Sequence, residues 1–362
     1  MQELVITATR SMREYAAHVV DEIAKSPDFG PFAEGVDGVG ILNTSRFADG
    51  EMEVAVSSSV RGKDVVLFTS CARNEAGISV LESKVELYHA VDALKRCQAR
   101  RIIVFEPFVS CSRSDRTSGR SSVGLWVHFK TLISLGTQHI VTYQLHSDKS
   151  KSIVDPTVCA VDDIPALNLL KQHLCDAYIQ DIETLEKIVR PNWAFCSVDA
   201  GGEKLARGFA NAFGAPLVVA HKQRDYAKVN TIESINILSA EPLEGKVLWI
   251  VDDMVDTGGT VESLIRVLAG LKPAEINILA VHPVFSPPAP QRLNRLAEEG
   301  LLRRIMVSDT VSSTLDPLPG LEMVSSVGLS AKVINAICMH TSMQKLLRVF
   351  DAELYLRGLK HL

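Results

Sequence analysis

One stretch of the sequence, residues 246–260, constrains the fold more than any other. It opens with a continuous apolar run over residues 247–251, which has the length of a strand. A strand without polar alternation needs cover on both faces, which is typical of a parallel sheet between helices. A glycine-rich loop follows at once, and apolar residues then recur with helical spacing over residues 261–268. This strand-loop-helix order predicts α/β architecture.

The same alternation of strand-length apolar runs and helical periodicity continues along almost the whole chain. It predicts two successive stacks of parallel strands and helices, and a length of 362 residues favours two domains. Residues 148–165 are rich in Ser, Lys and Asp and contain two prolines, so they are the expected break between the stacks. The sequence thus predicts a first domain over residues 1–162 and a second that begins at residue 163.

Composition excludes several classes of protein. Hydrophobic residues make up 46% and charged residues 22%, which is typical of a globular chain. A net charge of -5 without a basic stripe argues against nucleic-acid binding. No apolar run is long enough for a membrane span, no secretory signal is evident, and the seven cysteines form no C-x-x-C pair. We therefore expect a cytoplasmic protein with reduced thiols and no membrane partner.

The chemistry of residues 246–260 indicates a ribose 5-phosphate handle. Asp252 and Asp253 follow the apolar run, at the end of a parallel strand where ligands bind. The candidate phosphate loop consists of Asp256, Thr257, Gly258, Gly259 and Thr260. Glycines let the backbone approach an anion, and the start of a helix supplies unpaired N–H groups. The loop has neither the lysine of a nucleotide P-loop nor a G-x-G-x-x-G pattern, and carboxylates suit ribose hydroxyls.

Residues 251–260, V-D-D-M-V-D-T-G-G-T, resemble the phosphoribosyl-pyrophosphate binding motif of type I phosphoribosyltransferases and ribose-phosphate diphosphokinases. Four further segments resemble the diphosphokinases in order: F-A-D-G-E at 47–51, P-F-V-S-C-S-R-S-D-R at 107–116, S-V-D-A-G-G at 197–202 and H-K-Q-R at 221–224. Ordinary phosphoribosyltransferases lack the H-K-x-R segment, so the resemblance is to the diphosphokinases.

That resemblance implies a magnesium-dependent enzyme that converts ATP and ribose 5-phosphate to AMP and 5-phosphoribosyl 1-pyrophosphate. It implies two phosphoribosyltransferase-like (Rossmann-like) domains, each a mostly parallel sheet flanked by helices. Residues 1–162 with 323–362 would form the ATP side, and residues 163–322 the ribose 5-phosphate side. Members of the family assemble from dimers into larger homo-oligomers, usually hexamers.

The resemblance also implies a role for each site residue. Lys222 and Arg224 would stabilise the transferring phosphoryl group, and His146 and Asp199 would lie at the Mg²⁺ site. Ribose 5-phosphate would be held by Asp252, Asp253, Asp256, Thr257, Gly258, Gly259 and Thr260. ATP would be held by Arg113 and Asp115 and, from a neighbouring subunit, by Phe47, Asp49 and Glu51.

The sequence departs from the family pattern on the ATP side. Ser114 replaces a glutamine, Gln144 replaces an aspartate, and residues 147–151 replace the usual segment after His146. These departures keep open a catalytically silent relative that regulates an active synthetase. A phosphoribosyltransferase with a base or amine acceptor is the other alternative.

Overall fold

The computed structural model of the chain describes residues 4–25, 39–72, 77–117, 119–224, 232–311 and 318–358. The elements up to residue 165 are β1 (Leu4–Ala8), α1 (Arg13–Lys25), β2 (Leu42–Arg46), β3 (Met52–Val56), β4 (Asp64–Phe68), α2 (Val80–Arg96), β5 (Arg101–Phe105), α3 (Gly124–Leu135), β6 (His139–Tyr143) and β7 (Ala160–Ile164). The later elements are α4 (Leu167–Leu174), α5 (Ile182–Thr184), α6 (Arg190–Asn192), β8 (Trp193–Ser197), α7 (Glu203–Phe213), β9 (Leu217–Arg224), β10 (Ile232–Ser239), β11 (Val247–Val255), α8 (Gly259–Ala269), β12 (Glu275–Pro283), α9 (Ala289–Glu298), β13 (Arg304–Ser308), β14 (Leu321–Val324), α10 (Val327–Cys338) and α11 (Ala352–Leu356).

The chain divides into two compact units. Unit 1 contains Met1–Pro165, Thr310–Thr314 and Ser325–Leu346, and unit 2 contains Ala166–Asp309, Leu315–Val324 and Leu347–Leu362. None of the helices within the described ranges is both long and apolar enough to cross a membrane.

Unit 1 is built on a parallel sheet whose strand order, among the described residues, is β1-β4-β5-β6-β7. Every residue of β1, β4 and β6 is buried, as expected for strands covered on both faces. Helix α2 packs on α3 and α1 on α10, while β2 and β3 form an antiparallel hairpin beside α2. Helix α2 starts with a capping box between Ser79 and Glu82. All strands of the sheet end at one edge, which collects the loops that follow them.

Unit 2 is built on a larger sheet with the order β10-β9-β8-β11-β12-β13-β14 in the described part of the chain. Its strands are parallel except for β10, which runs antiparallel to β9. Strand β11 is central, and its Trp249 is 1% exposed. Helices α7, α8 and α9 contribute the apolar side chains that pack against these strands. The predicted α/β class is therefore correct for both units.

The C-terminal tail, residues 347–358, belongs to unit 2, which corrects the assignment of everything after residue 322 to the first domain. The Phe350 ring packs against Phe213, with ring centroids 6.4 Å apart. Arg190 Nη2 donates to Glu353 Oε2 at 2.9 Å. Aromatic burial and ion pairing thus draw the tail to unit 2, although α10, directly before it, belongs to unit 1.

Candidate active site

Strand β11 carries the first half of the predicted ribose 5-phosphate site. It extends to Val255, beyond the predicted end at residue 251, so Asp252 and Asp253 lie within the strand. Strand β12 pairs with β11 as far as Val255, whereas β8 pairs with it as far as Val251. The two carboxylates therefore follow the point at which β8 ends, which is where ligands bind in open α/β sheets.

Asp199 adds a third carboxylate to this region of unit 2. Asp253 is 4% exposed, and its N–H donates to Asp252 Oδ1 at 3.0 Å. Desolvation raises the pKa of Asp252 well above its usual range, and the negative charges of Asp253 and Asp199 raise it further. Sugar hydroxyls or a cation would relieve the repulsion among these carboxylates.

The loop between β11 and α8 is a tight turn with the backbone features expected of the predicted anion-binding loop. Gly258 has φ of +72°, a left-handed backbone conformation that residues other than glycine adopt at a cost of roughly 1–2 kcal/mol. Helix α8 begins at Gly259, so the amides of its first turn have no earlier helical carbonyl to bind. The predicted phosphate residues Asp256, Thr257, Gly258, Gly259 and Thr260 lie together in this turn. An anion bound there would meet N–H donors and the positive end of α8.

Asp199 lies in the turn between β8 and α7. Its Oδ1 accepts from Gly202 N at 3.0 Å, which closes the turn one residue before α7 begins. Since β8 and β11 are adjacent parallel strands, this turn lies beside the acidic pair. The structure thus gives Asp199 a turn-forming contact in addition to its electrostatic effect on Asp252.

Lys222 and Arg224 lie within β9, which continues past the apolar residues 217–220 to Arg224. In the antiparallel pairing of β9 with β10, Lys222 lies opposite Ile235 and Arg224 lies opposite Ile232. Residues 232–234, at the end of the polar run that follows Arg224, form the start of strand β10. Residues 225–231 of that run lie outside the described residues.

The predicted adenine-binding residues occupy the turn of the β2-β3 hairpin in unit 1. Phe47 N donates to Glu51 O at 2.9 Å, and Gly50 N donates to Phe47 O at 3.0 Å. Asp49 Oδ1 accepts from Glu51 N at 3.1 Å. These bonds order the turn while the Phe47 side chain stays 54% exposed, so its ring is available to stack on a base.

The loop after β5 carries Arg113 and Asp115. Arg113 is exposed and Asp115 is half-buried. Ser114, which replaces the family's glutamine, accepts from Gly124 N through Oγ at 2.9 Å and from Leu125 N through its carbonyl at 3.1 Å. Ser114 therefore anchors the loop to the start of α3, which gives this residue a structural role.

His146 is exposed on the turn after β6. Leu145 N donates to Asp163 Oδ1 at 3.0 Å, and Gln144 N donates to Ile164 O at 3.1 Å. Gln144 has φ of +43°, so the backbone turns sharply as it leaves the strand. The end of β7 thus fixes the turn that presents His146.

The two predicted magnesium ligands are divided between the units, with His146 in unit 1 and Asp199 in unit 2. Within the described ranges, no group of three or more His, Cys, Asp or Glu side chains is arranged to hold a metal ion. Mg²⁺ commonly takes one or two carboxylates and completes its shell with water and substrate phosphates. The acidic region around Asp252 fits that pattern, because it offers hard oxygen ligands under mutual repulsion.

The structure also shows residues that contact the predicted site segments and that the sequence patterns did not indicate. Arg292 on α9 contacts the candidate phosphate loop, and Asp163 holds the turn before His146. Glu106, directly before the Arg113 loop, is fully buried against His128. A single acidic residue after an apolar strand was a signal for Glu106. The other contacts join residues distant in sequence, which no local pattern reveals.

Comparisons with known proteins place these two units in a family. The sequence profile described as the N-terminal domain of ribose phosphate pyrophosphokinase matches residues 4–136. A second profile, described as the phosphoribosyl transferase domain, matches residues 162–293. The ribose-phosphate pyrophosphokinase of Burkholderia pseudomallei is 33% identical, with 83% of this chain and 87% of that protein covered. The enzyme of the same name from Mycoplasma pneumoniae is 31% identical, with 82% and 84% covered.

A solved structure agrees with these matches. The crystal structure of phosphoribosylpyrophosphate synthetase from Mycobacterium smegmatis aligns with a TM-score of 0.77 and 27% identity. The alignment covers 94% of this chain and 100% of that one. The chain therefore belongs to the ribose-phosphate pyrophosphokinase family and has the two phosphoribosyltransferase-like α/β domains of that family.

Proposed function

We propose that this chain transfers the pyrophosphoryl group of ATP to the C1 hydroxyl of ribose 5-phosphate, giving 5-phosphoribosyl 1-pyrophosphate and AMP. The observation that carries the proposal is the acidic pair on β11 next to a glycine turn that opens α8. This combination suits a ligand with both vicinal hydroxyls and a phosphate, and family membership supplies the reaction.

Ribose 5-phosphate would bind in unit 2. The 5-phosphate would accept from the backbone amides and threonine hydroxyls of residues 256–260. Asp252 and Asp253 would accept from the ribose hydroxyls. Because protonation would remove acceptor capacity, substrate hydroxyls and a nearby cation favour the ionised form of Asp252 when the site is filled.

ATP would bind through unit 1. The exposed Arg113 would donate to the phosphate oxygens, and Asp115 lies in the same loop. The exposed Phe47 ring, with Asp49 and Glu51, would hold the adenine of an ATP bound to a neighbouring chain. Such a site requires a homo-oligomer, which we propose is built from dimers into a hexamer. We propose the cytoplasm as the compartment, since the seven cysteines are free thiols, as is usual in a reducing compartment.

The C1 oxygen of ribose 5-phosphate would form a bond to the β-phosphorus of ATP while the bond from that phosphorus to the α,β-bridging oxygen breaks. The hydroxyl proton would pass to water, and AMP would leave with the bridging oxygen and the electron pair of the broken bond. Such a reaction depends on positioning and on neutralisation of charge. Lys222 and Arg224 would neutralise charge on the transferring group. Bound Mg²⁺, held at Asp199 and on the His146 side of ATP, would supply further neutralisation of the phosphate oxygens.

The test is AMP formation from ATP by the purified chain, with and without ribose 5-phosphate and with Mg²⁺ or excess chelator. We expect release of AMP that requires both ribose 5-phosphate and the divalent ion. Binding of ribose 5-phosphate without AMP release would instead identify a regulatory relative of the synthetase. Pyrophosphate release from 5-phosphoribosyl 1-pyrophosphate with a base or amine would identify a phosphoribosyltransferase.

A further inference from the structure

The side chain of Arg292 reaches from α9 to the back of the phosphate loop. Its Nη1 donates to Thr257 O at 2.9 Å. Its Nε lies 3.3 Å from Glu262 Oε2, in the first turn of α8. Because Nη1 and Nε belong to one planar guanidinium, these two contacts limit its movement. The position of the Thr257 carbonyl is therefore coupled to that of α8.

The space behind the loop is closely filled by α9. A Cβ built on Gly259 would lie 2.8 Å from Arg292 Nη1, which is closer than real Cβ contacts allow. A Cβ built on Gly258 would lie 3.5 Å from the Cα of Ala289. Gly259 therefore leaves room for the arginine behind the loop, whereas the distance at Gly258 is an ordinary van der Waals contact with α9. Because α9 fills this side, a ligand must approach the loop from the opposite side.

Peptide geometry carries the effect of Arg292 to the ligand side. The peptide bond between Thr257 and Gly258 is trans, so its C=O and N–H point in opposite directions within one plane. Because Arg292 fixes the carbonyl toward α9, the N–H of Gly258 is turned toward the other side of the loop. We propose that Arg292 is a positioning residue that holds this amide ready for the 5-phosphate of ribose 5-phosphate. The inference rests on the proposed function of the same loop.

General attraction between the positive charge of Arg292 and the 5-phosphate is a simpler way for this residue to favour binding. The experiment must separate that attraction from positioning of the Gly258 amide. Glu262 also pairs with Arg295, three residues further along α9, at 3.1 Å. Arg295 thus carries the same charge, on the same helix, to the same carboxylate. The described contact to the Thr257 carbonyl belongs to Arg292. Arg295→Ala is therefore a matched control for the loss of one positive charge near the loop.

The experiment measures KM for ribose 5-phosphate and kcat in wild type, Arg292→Ala, Arg292→Lys and Arg295→Ala. Calorimetric binding of ribose 5-phosphate is measured alongside, and thermal unfolding reports folding. Loss of one charge-assisted positioning bond corresponds to on the order of a tenfold rise in KM and Kd. We expect that rise in Arg292→Ala with kcat within about threefold, because the 5-phosphate is bound equally before and during reaction at C1. Lysine retains a donor for the carbonyl, so Arg292→Lys should recover most of the affinity.

Equal rises in KM for Arg292→Ala and Arg295→Ala would overturn the proposal in favour of general electrostatic attraction. Unchanged KM and Kd in a folded Arg292→Ala variant would overturn it outright. If Arg292→Ala unfolds, Arg292→Met, which keeps the length of the side chain without a donor, takes its place: a Kd about tenfold weaker than that of Arg292→Lys supports positioning through the carbonyl, and equal Kd values for the two variants overturn it. Absence of AMP formation by wild type would instead refute the proposed function, while the calorimetric comparison would still judge Arg292.

Discussion

At the scale of single residues, two carboxyls with raised pKa have different surroundings. Asp252 has two negatively charged neighbours, Asp253 and Asp199, which is expected of a carboxyl that binds a cation or hydroxyl donors. Asp163 instead accepts from a backbone amide and lies 4.0 Å from Lys151. Asp163 therefore shapes the turn before the predicted ATP-side histidine and has no direct place in the chemistry that we propose.

We predict that Asp163→Asn stabilises unit 1 above pH 6. Burial raises the pKa of Asp163 to about 6, from 3.8 in the unfolded chain. The folded state then holds a proton that the unfolded state releases, so stability falls as pH rises through this window. Asparagine keeps an oxygen acceptor for Leu145 N without the charge.

The expected gain in free energy of unfolding at pH 8 is at most about 3 kcal/mol, and it should vanish near pH 4. Thermal unfolding of both proteins at the two pH values measures it. A variant less stable than wild type at pH 8 would show that the Lys151 charge outweighs the desolvation of Asp163.

Lys222 is the residue on which the proposed chemistry depends most. We predict that Lys222→Ala lowers turnover about 10²–10³-fold, the usual effect of removing one preorganised donor from developing charge. The unfolding temperature of Lys222→Ala should change little. Lys332 is an exposed residue of α10, so turnover and unfolding temperature should both change little in the control Lys332→Ala. Near-normal steady-state turnover in Lys222→Ala would remove this lysine from the mechanism.

At the scale of elements, a buried polar link joins two helices to the root of the Arg113 loop. His128 of α3 shares its Nε2 with Glu106 Oε2 at 2.8 Å and its Nδ1 with Tyr88 OH of α2 at 2.9 Å. Glu106 and His128 are 0% and 1% exposed. Burial and the charge of Glu106 raise the pKa of Cys71, so this neighbouring thiol stays protonated. The link fixes where β5 ends and the predicted ATP loop begins.

We predict that His128→Ala destabilises unit 1 by about 3–5 kcal/mol, because it leaves the Glu106 carboxyl buried without its ring partner. The double variant Glu106→Leu/His128→Leu should lose far less, since it leaves no buried carboxyl without a partner and affects only the hydrogen bond to the half-buried Tyr88 hydroxyl. Trp126→Ala, at a position of the same helix that is 44% exposed, is the surface control. Urea unfolding measures all three, and equal losses in the single and double variants would argue against a polar link.

At the scale of the whole molecule, the chain is discontinuous in both units. Its last described residues, 347–358, return to unit 2 and cover an aromatic cluster formed by Phe195, Phe209 and Phe213. The tail thus adds to the core of the unit that would bind ribose 5-phosphate, beyond the end of the second matched profile at residue 293.

Phe350 is 5% exposed, and we predict that Phe350→Ala destabilises unit 2 by about 3–5 kcal/mol through lost burial and a cavity. For a unit of this size the melting temperature should fall by roughly 6–20 °C. The adjacent Val349 is 84% exposed, so Val349→Ala should melt close to wild type. Differential scanning calorimetry compares them, and similar melting of the two variants would show that the tail contributes little to unit 2.

The sequence by itself determined the α/β class, the buried strand at residues 247–251, the glycine turn that follows it and the family. Each of these is encoded in contiguous residues: a buried parallel strand requires an apolar run, and a tight anion-binding turn requires glycines. Local chemistry of this kind can be recognised wherever the chain later places it.

Tertiary structure decided where elements end and what supports the site. Residues 160–164 are polar enough to indicate a break, yet pairing with β6 makes them an edge strand. Strands β9 and β11 likewise continue past their apolar runs because a neighbouring strand supplies backbone partners. The contact of Arg292 with Thr257 and the docking of Phe350 join residues far apart in sequence. Their energies arise from proximity after folding, so no local pattern could specify them.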